Sequence, residues 1–252
     1  MQHGQLTGKI ALVTGASRGL GKAIATALAR AGASLVLTSR NAELLAATAA
    51  EIRAFGAEAE PFPADVSDAT QVSALEQHVR SQFGKLHILV NNAGINIRKH
   101  LAELTLEDWN KVLATNLTSV FLMCRAFVPL IKGQGYGRIV NVASMLAHVG
   151  LPGRTAYSAS KSGLLGFTRA LALELAHEQI TVNAICPGPY PTEINRAILE
   201  SREQAEFFLS RVPLGRWGNP HEIGQLVVYL CSDAAGYITG TNILIDGGWT
   251  AQ

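Results

Sequence analysis

Residues 9–21 read KIALVTGASRGLG, a short apolar run followed by a loop with three glycines. The run Lys9–Val13 has the length and the continuous apolar character of a strand that is covered on both faces. After the loop, apolar residues recur with helical spacing until Gly32, which is a typical helix stop. Glycines at such a strand-to-helix turn let the backbone and the positive end of the helix approach a phosphate. The stretch therefore predicts a dinucleotide-binding unit.

Similar apolar runs alternate with helical patterns along almost the whole chain. This alternation predicts an α/β fold over residues 1–252, a single domain whose doubly wound parallel sheet of about seven strands carries helices on both faces. The region 187–219 breaks the rhythm, because it is rich in proline and charge and lacks a strand, and we predict that it is a substrate lid. The predicted strands are Lys9–Val13, Ser34–Thr38, Glu58–Phe62, Leu86–Asn91, Arg138–Val142, Ile180–Ile185 and Asn242–Ile245.

The composition favours a folded protein of modest charge, with 252 residues and a net charge of +2. No basic run is longer than two residues, which argues against a nucleic-acid or membrane surface. The first residues include no basic segment followed by a long apolar one, and the three cysteines have the wide spacing of reduced thiols. The seven histidines lack metal-ligand spacing. We predict a cytoplasmic protein with a small-molecule substrate, no metal, no nucleic-acid partner and no membrane segment.

The end of the second predicted strand indicates which dinucleotide binds. An NAD site is typified by an Asp or Glu at this point, which binds the ribose 2′-hydroxyl. Here the strand ends at Ser39 and Arg40, and no carboxylate follows before Glu43. Arg40 and Arg18, which lies in the glycine loop, are suited to clamp a 2′-phosphate between them. We therefore predict NADP(H) in preference to NAD(H).

Tyr157 and Lys161 are four residues apart, which places them on one face of a helix. An unperturbed phenol has a pKa near 10 and exchanges protons poorly at neutral pH. An ammonium at about 4 Å, in an effective dielectric of about 20, would stabilise the phenolate by roughly 4 kcal/mol. That energy would lower the pKa of the phenol by about three, toward 7. We predict that Tyr157 is a general acid and base whose pKa is tuned by Lys161.

Ser144 follows the predicted strand Arg138–Val142 and so lies where open α/β sheets bind ligands. Its hydroxyl can donate to a substrate carbonyl while Tyr157 protonates the same oxygen, which polarises the carbonyl for hydride attack. The residues therefore predict hydride transfer to or from a carbonyl. A non-enzymatic regulator that binds NADP on the same fold is the remote alternative.

These motifs, in this order, resemble the NADP-preferring branch of the short-chain dehydrogenase/reductase family over essentially the whole chain. The resemblance implies a Rossmann fold, an enzyme of class EC 1.1.1.-, and a fourth catalytic residue, Asn116, whose backbone positions a water in a proton relay through Lys161. It also implies that Lys161 binds the nicotinamide ribose and that Asp65 and Val66 hold the adenine. The predicted cofactor-binding residues are Gly15, Ser17, Arg18, Gly19, Leu20, Gly21, Ser39, Arg40, Asp65, Val66, Asn92, Ala93, Gly94, Tyr157, Lys161, Pro187, Gly188, Tyr190 and Thr192.

The substrate is less well defined by the sequence. Basic and polar residues in loops around the predicted site suit a carboxylate or phosphate, and the candidates are Arg98, Ser144, His148, Arg154 and Tyr190. The segments 96–99, 214–218 and 246–249 look most like family members that act on sugar acids, such as gluconate 5-dehydrogenases. Reductases of 3-oxoacyl thioesters (carried on acyl carrier protein or coenzyme A) resemble it nearly as well, and a general ketone or alcohol reductase is a further alternative. The resemblance also implies a homotetramer.

Overall fold

The strands of the chain form a parallel sheet in the computed structural model, which describes residues 4–252 and, for Ala197, only the backbone. The first three residues of the predicted 1–252 domain lie outside this range. Within it the seven strands are β1 Ile10–Thr14, β2 Ser34–Ser39, β3 Ala59–Pro63, β4 Ile88–Asn91, β5 Gly137–Val142, β6 Ile180–Pro187 and β7 Asn242–Ile245. All seven predicted strands are therefore present, with ends displaced by at most two residues.

The spatial order of the strands is β3-β2-β1-β4-β5-β6-β7, and every neighbouring pair is parallel. The chain moves outward from β1 to β3 and then crosses back to place β4 on the other side of β1. In sheets with this order, ligands bind outside the carboxyl ends of the strands at the point where the direction reverses. The predicted doubly wound α/β fold is confirmed.

Helices cover both faces of the sheet. They are α1 Gly19–Arg30, α2 Ala42–Ala54, α3 Ala69–Phe83, α4 Leu106–Leu113, α5 Ser119–Ile131, α6 Thr155–Leu175, α7 Arg196–Leu199, α8 Arg202–Leu209 and α9 Pro220–Cys231.

An apolar core lies on each face of the sheet. The first core joins the sheet to α1, α2 and α9, and the second joins it to α3, α5 and α6. In β1, Ala11 and Val13 are buried in the first core and Leu12 in the second, so the strand is apolar throughout.

Helices α4 and α5 are joined by a π-helical turn, Ala114–Thr118, into one continuous helical stretch, Leu106–Ile131. The stretch is 26 residues long, and an 18-residue window within it has a mean hydropathy of 1.4. By length and composition alone, it is the one helix within residues 4–252 that could cross a membrane. Core helices share these properties, and Met123 and Phe127 of α5 are buried in the second core.

The region 187–219 starts at the last residue of β6, has no other strand residue in the described structure, and forms the short helices α7 and α8. The carboxyl-terminal residues pack against α8. The rings of Phe208 and Trp249 have centroids 5.3 Å apart, and Trp217 stacks on Phe208 at 6.3 Å. Gln252 Nε2 also donates to the Arg211 carbonyl at 2.8 Å. The position of α8 therefore depends on the last turn of the described chain.

Candidate active site

The glycine loop between β1 and α1 is closely packed against the end of β4. Gly15 has φ of +64° and Gly19 has φ of +56°, values that favour glycine. A Cβ atom at Gly21 would lie 2.2 Å from the Gly15 carbonyl oxygen and 2.4 Å from Asn92 Nδ2. The loop and the first turn of α1 can therefore keep this close approach only with glycine at position 21.

Thr14 and Asn92 hold this loop in place by hydrogen bonds. The Thr14 hydroxyl accepts from the backbone N–H of Asn92 at 2.9 Å and of Ala93 at 3.0 Å. The Asn92 side-chain amide donates to the Thr14 carbonyl at 2.9 Å and to the Gly15 carbonyl at 3.3 Å. Thr14 is the first residue of the glycine-loop motif but is not among the predicted cofactor-binding residues, although its position at the end of a strand before Gly15 was an available signal.

A cavity of about 570 Å³ extends along the carboxyl ends of the strands from this loop. Every residue that the sequence predicted to bind the cofactor contributes to its lining, from Gly15 at one end to Thr192 in the segment after β6. Ser144, Tyr157 and Lys161 line the same cavity. The volume falls in the range of known ligand pockets, and the narrow glycine cradle is suited to a pyrophosphate at the N-terminus of α1. The residues present therefore fit a nicotinamide dinucleotide.

The end of β2 presents positive charge to the cavity. Arg40 is exposed, and its Nη1 lies 3.9 Å from Asp65 Oδ2, while Arg18 is exposed at the N-cap of α1. The other oxygen of Asp65 accepts from the backbone N–H and the hydroxyl of Ser67 at 2.9 and 2.6 Å. Ser39, the last residue of β2, stands where an NAD site would carry a carboxylate.

Tyr157 and Lys161 belong to the first two turns of α6, and Ser144 follows β5. Lys161 Nζ donates to the Val142 carbonyl at 2.6 Å and lies 5.8 Å from the centroid of the Tyr157 ring. The Ser144 hydroxyl accepts from the backbone N–H of Leu146 at 3.1 Å, which fixes the serine at the start of a short 3-10 turn. The three side chains therefore meet where the carboxyl end of β5 faces α6.

The predicted origin of the Tyr157 pKa requires correction. Desolvation by the surrounding protein raises the pKa of the phenol, whereas the Ser144 hydroxyl and the positive charges of Arg154 and Arg98 lower it. The Lys161 ammonium lies 5.8 Å from the centroid of the ring and donates to the Val142 carbonyl. Burial also lowers the pKa of Lys161 itself, to about 8. The chain's own groups therefore do not bring the pKa of Tyr157 toward 7.

Asn116 is fully buried in the π-helical turn and does not line the cavity. Its side-chain oxygen accepts from the Ile95 N–H at 2.8 Å, and its amide donates to the Ile95 carbonyl at 2.9 Å and to Ser160 Oγ at 3.0 Å. A Cβ at Gly94 would lie 3.4 Å from Asn116 Oδ1 and 3.5 Å from Lys161 Nζ, so these two polar atoms flank the same glycine. Such π-turns are frequent at functional sites.

The predicted substrate residues fall into two groups. Arg154 and Tyr190 line the cavity with Ser144, although the Tyr190 hydroxyl donates to the Ile245 carbonyl at 3.3 Å. Arg98 and His148 are not part of the lining. Arg98 Nη2 donates to the Ile194 carbonyl at 2.8 Å and to Asn195 Oδ1 at 3.1 Å.

His148 is exposed outside the cavity lining. Its Nε2 lies 3.6 Å from Cys186 Sγ and 3.2 Å from Asn242 Nδ2, so its contacts are with β6 and β7. No group of three or more residues suited to hold a metal ion is present between residues 4 and 252.

The apolar part of the cavity lining was not predicted from the sequence. This part comes from the segment after β5, from the 3-10 turn Glu193–Asn195 and from α7 and α8, and four of its members pack in one cluster with Tyr157. Its members are Met145, Leu146, Leu151, Ile194, Ile198 and Phe208. Their spacing is that of ordinary core residues, so nothing in the local sequence distinguishes them.

Comparison with known proteins identifies close relatives over nearly the full length. Residues 15–250 match the family model described as Enoyl-(Acyl carrier protein) reductase. The chain is 40% identical over 243 residues to the 3-oxoacyl-[acyl-carrier-protein] reductase FabG of Pseudomonas aeruginosa, which covers 96% of this chain and 98% of that one.

Two solved structures share the fold. The RhlG/NADP active-site complex of Pseudomonas aeruginosa has a TM-score of 0.92 and 37% identity, covering 99% of both chains. A gluconate 5-dehydrogenase from Burkholderia cenocepacia, in complex with NADP and tartrate, has a TM-score of 0.94 and 33% identity, covering 98% of this chain and 97% of that one.

Proposed function

Since the chain belongs to the short-chain dehydrogenase/reductase family and is an NAD(P)-dependent oxidoreductase of class EC 1.1.1.-, we propose that it transfers a hydride between NADP(H) and a carbonyl or secondary alcohol. The observation that carries this proposal is the meeting of Ser144, Tyr157 and Lys161 on one wall of the cavity whose far end is the glycine cradle. The substrate proposed is a small polar or acidic molecule.

The nicotinamide, when bound, supplies or accepts the hydride. Ser144 and Tyr157 donate hydrogen bonds to the carbonyl oxygen, and Tyr157 gives up its proton as negative charge develops there. Lys161 holds the nicotinamide ribose, and its positive charge favours the phenolate that remains. Asn116 is the fourth member of this set: its side chain fixes the backbone of Ile95, and its own backbone positions a water that returns the proton through Lys161. In the reverse direction Tyr157 accepts the proton of the alcohol.

Desolvation raises the pKa of Tyr157, and this suits the direction of reduction. A group whose pKa is raised stays protonated at neutral pH and is therefore ready to act as an acid. A positively charged nicotinamide ring and the ribose-bound Lys161 would both favour the phenolate and so support the reverse direction.

The preference for NADP(H) is supported by the charge at the end of β2. Arg18 and Arg40 are exposed on the cavity lining, and a 2′-phosphate would bind between two guanidinium groups. The residues proposed to hold the rest of the cofactor are those of the cavity lining, from the glycine loop to Asp65, Val66 and the segment 187–192.

Replacing Arg40 by aspartate is expected to lower the ratio of kcat/KM for NADPH to that for NADH by about 100-fold, because a charge-assisted contact is lost and a repulsive charge is added. Steady-state kinetics with both cofactors measure this ratio. Arg53→Asp, an exposed position in the last turn of α2 outside the cavity lining, is the matched control and should leave it unchanged. An unaltered ratio in Arg40→Asp would show that Arg40 does not contact the 2′-phosphate.

Two substrate classes have specific support. A sugar acid is supported by the likeness to a gluconate 5-dehydrogenase structure that contains tartrate, itself a hydroxy acid. A 3-oxoacyl thioester is supported by the FabG relative and by the apolar residues around Tyr157. Purified protein with NADPH and a panel of oxo acids, sugar acids, 3-oxoacyl thioesters and simple ketones tests the proposal. Absence of NADPH oxidation with every member would refute it.

We also propose that residues 187–219 are the lid over the substrate and that the protein works as a cytoplasmic homotetramer. Exposed apolar side chains support assembly, and they include Leu106 of α4, Leu173 of α6, Tyr229 of α9 and Leu244 of β7. Light scattering that gives a monomer would refute the tetramer.

A further inference from the structure

Arg154 lies immediately before α6 and three residues before Tyr157. Its side chain is half-buried and lines the cavity together with Ser144 and Tyr157. A guanidinium at this position faces the substrate whose carbonyl is bound by Tyr157. The location is thus on the substrate side of the cavity, away from Arg18 and Arg40, which flank the end of β2.

The charge of Arg154 has no carboxylate partner among the described residues. Its hydrogen bond is a contact of 3.3 Å from Nη1 to the Gly153 carbonyl, and no acidic oxygen lies within 4.0 Å. Glu193 also lines the cavity, but it is paired with Arg196 at 3.3 Å. Asp65 lies at the opposite end of the cavity, near Arg40.

Arg98 adds a second positive charge close by. Burial lowers the pKa of Arg154 to about 10, and the charge of Arg98 acts in the same direction. Arg98 Nη2 is bonded to Ile194 and Asn195, and Arg98 does not line the cavity. Arg154 does line it and keeps most of its five N–H donors free of protein partners. Two like charges without an anion between them are unfavourable, and a bound anion would relieve that repulsion.

Apolar side chains form part of the cavity lining on this side. Met145, Leu151 and Phe208 belong to the lining and pack in the same cluster as Tyr157. Where such side chains exclude water, an ion pair with a guanidinium is stronger than in water, and a planar oxyanion can bind it through two hydrogen bonds.

We propose that Arg154 is a specificity-determining residue that binds an anionic group of the substrate, a carboxylate or a phosphate joined to the reacting carbonyl by a short carbon chain. The inference rests on the proposed carbonyl reduction. It narrows the substrate to charged molecules whose anionic group lies close to the carbonyl.

Pairs of substrates that differ only in charge test this assignment. The pairs are pyruvate, acetoacetate and levulinate, each with its methyl ester, and dihydroxyacetone phosphate with dihydroxyacetone. The first three vary the distance between carboxylate and carbonyl, and the fourth distinguishes a phosphate from a carboxylate. We expect the wild-type protein to favour the charged member of at least one pair in kcat/KM.

Arg154→Gln is expected to lower that ratio of charged to neutral substrate by about 30-fold, the loss of one charge-assisted contact. Arg154→Lys should restore part of the ratio, because it keeps the charge but loses the paired donors. Arg53→Gln, the same substitution at an exposed arginine of α2 outside the cavity lining, is the matched control and should leave the ratio within about twofold of the wild type.

Calorimetric titration of the NADP⁺-loaded protein with the same acids, phosphate and neutral partners gives a second readout. If the charged compounds bind and their binding weakens in Arg154→Gln, the assignment of Arg154 is supported even when the enzyme reduces none of the compounds. In that case the proposed reduction is refuted, and the anion-binding role of Arg154 stands. The assignment is overturned if the ratio and the affinities are unchanged in Arg154→Gln. It is equally overturned if the loaded wild-type protein binds no charged member more tightly than its neutral partner.

Discussion

Replacing Tyr157 by phenylalanine is expected to lower kcat for carbonyl reduction by about 1000-fold, because the proton donor to the developing alkoxide is removed. The substitution deletes one oxygen and leaves the ring that packs beside Met145, Leu146 and Trp249. The cofactor should therefore still bind, and the loss should fall on turnover. Stopped-flow measurement of NADPH oxidation, with a separate fluorescence titration of NADPH, distinguishes the two.

A matched control comes from another buried tyrosine. Tyr136 lies at the start of β5, at the opposite end of that strand from Ser144, and its hydroxyl donates to the Cys231 carbonyl. Tyr136→Phe removes the same oxygen and should cost about 1 kcal/mol of unfolding free energy with little change in turnover. Retention of more than a tenth of the wild-type kcat in Tyr157→Phe would rule out the assigned proton transfer.

Replacing Gly21 by alanine is expected to weaken NADPH binding by at least about 100-fold. The added methyl carbon would lie 2.2 Å from the Gly15 carbonyl oxygen and 2.4 Å from Asn92 Nδ2, far inside van der Waals contact. Hydrogen bonds between Asn92 and the loop hold both of these atoms in place. Because Asn92 ties the loop to β4, the start of α1 must move instead. That movement withdraws the N–H groups suited to the pyrophosphate.

Gly166→Ala is the control for this substitution. Gly166 is inside α6, and a Cβ there has nothing within 4 Å. The change should leave NADPH binding intact and raise the unfolding free energy by up to about 1 kcal/mol through helix propensity. Fluorescence titration and thermal denaturation of both variants provide the comparison. Wild-type affinity for NADPH in Gly21→Ala would contradict the proposed role of the glycine cradle.

Much of the fold follows from sequence because the sheet is parallel and covered on both faces. Such strands appear as unbroken apolar runs, which is why β1 and β6 were located to within two residues. The cavity lining could also be anticipated. The carboxyl ends of parallel strands meet at one edge, so motifs after β1, β4 and β5 had to converge there.

Other properties depend on distances between side chains of different elements, and the spacing of residues along the sequence does not give these distances. The separation of Lys161 from Tyr157 depends on the hydrogen bond from the lysine to Val142, which belongs to a different element. The desolvation that raises the pKa of Tyr157 comes from residues scattered over the chain. The positions of Arg98 and His148 outside the lining depend on contacts with the turn Glu193–Asn195 and with β7, respectively. These outcomes required the assembled fold.

The packing of Phe208 between Trp217 and Trp249 gives the molecule an intrinsic optical reporter. An indole changes its emission when a neighbouring ring moves, and both indoles contact the one side chain that also lines the cavity. A displacement of α8 relative to either indole changes the corresponding ring contact, one stacked and one tilted. Tryptophan emission can therefore report movement of α8 on ligand entry without an attached dye, and Phe208→Leu should reduce the change in emission.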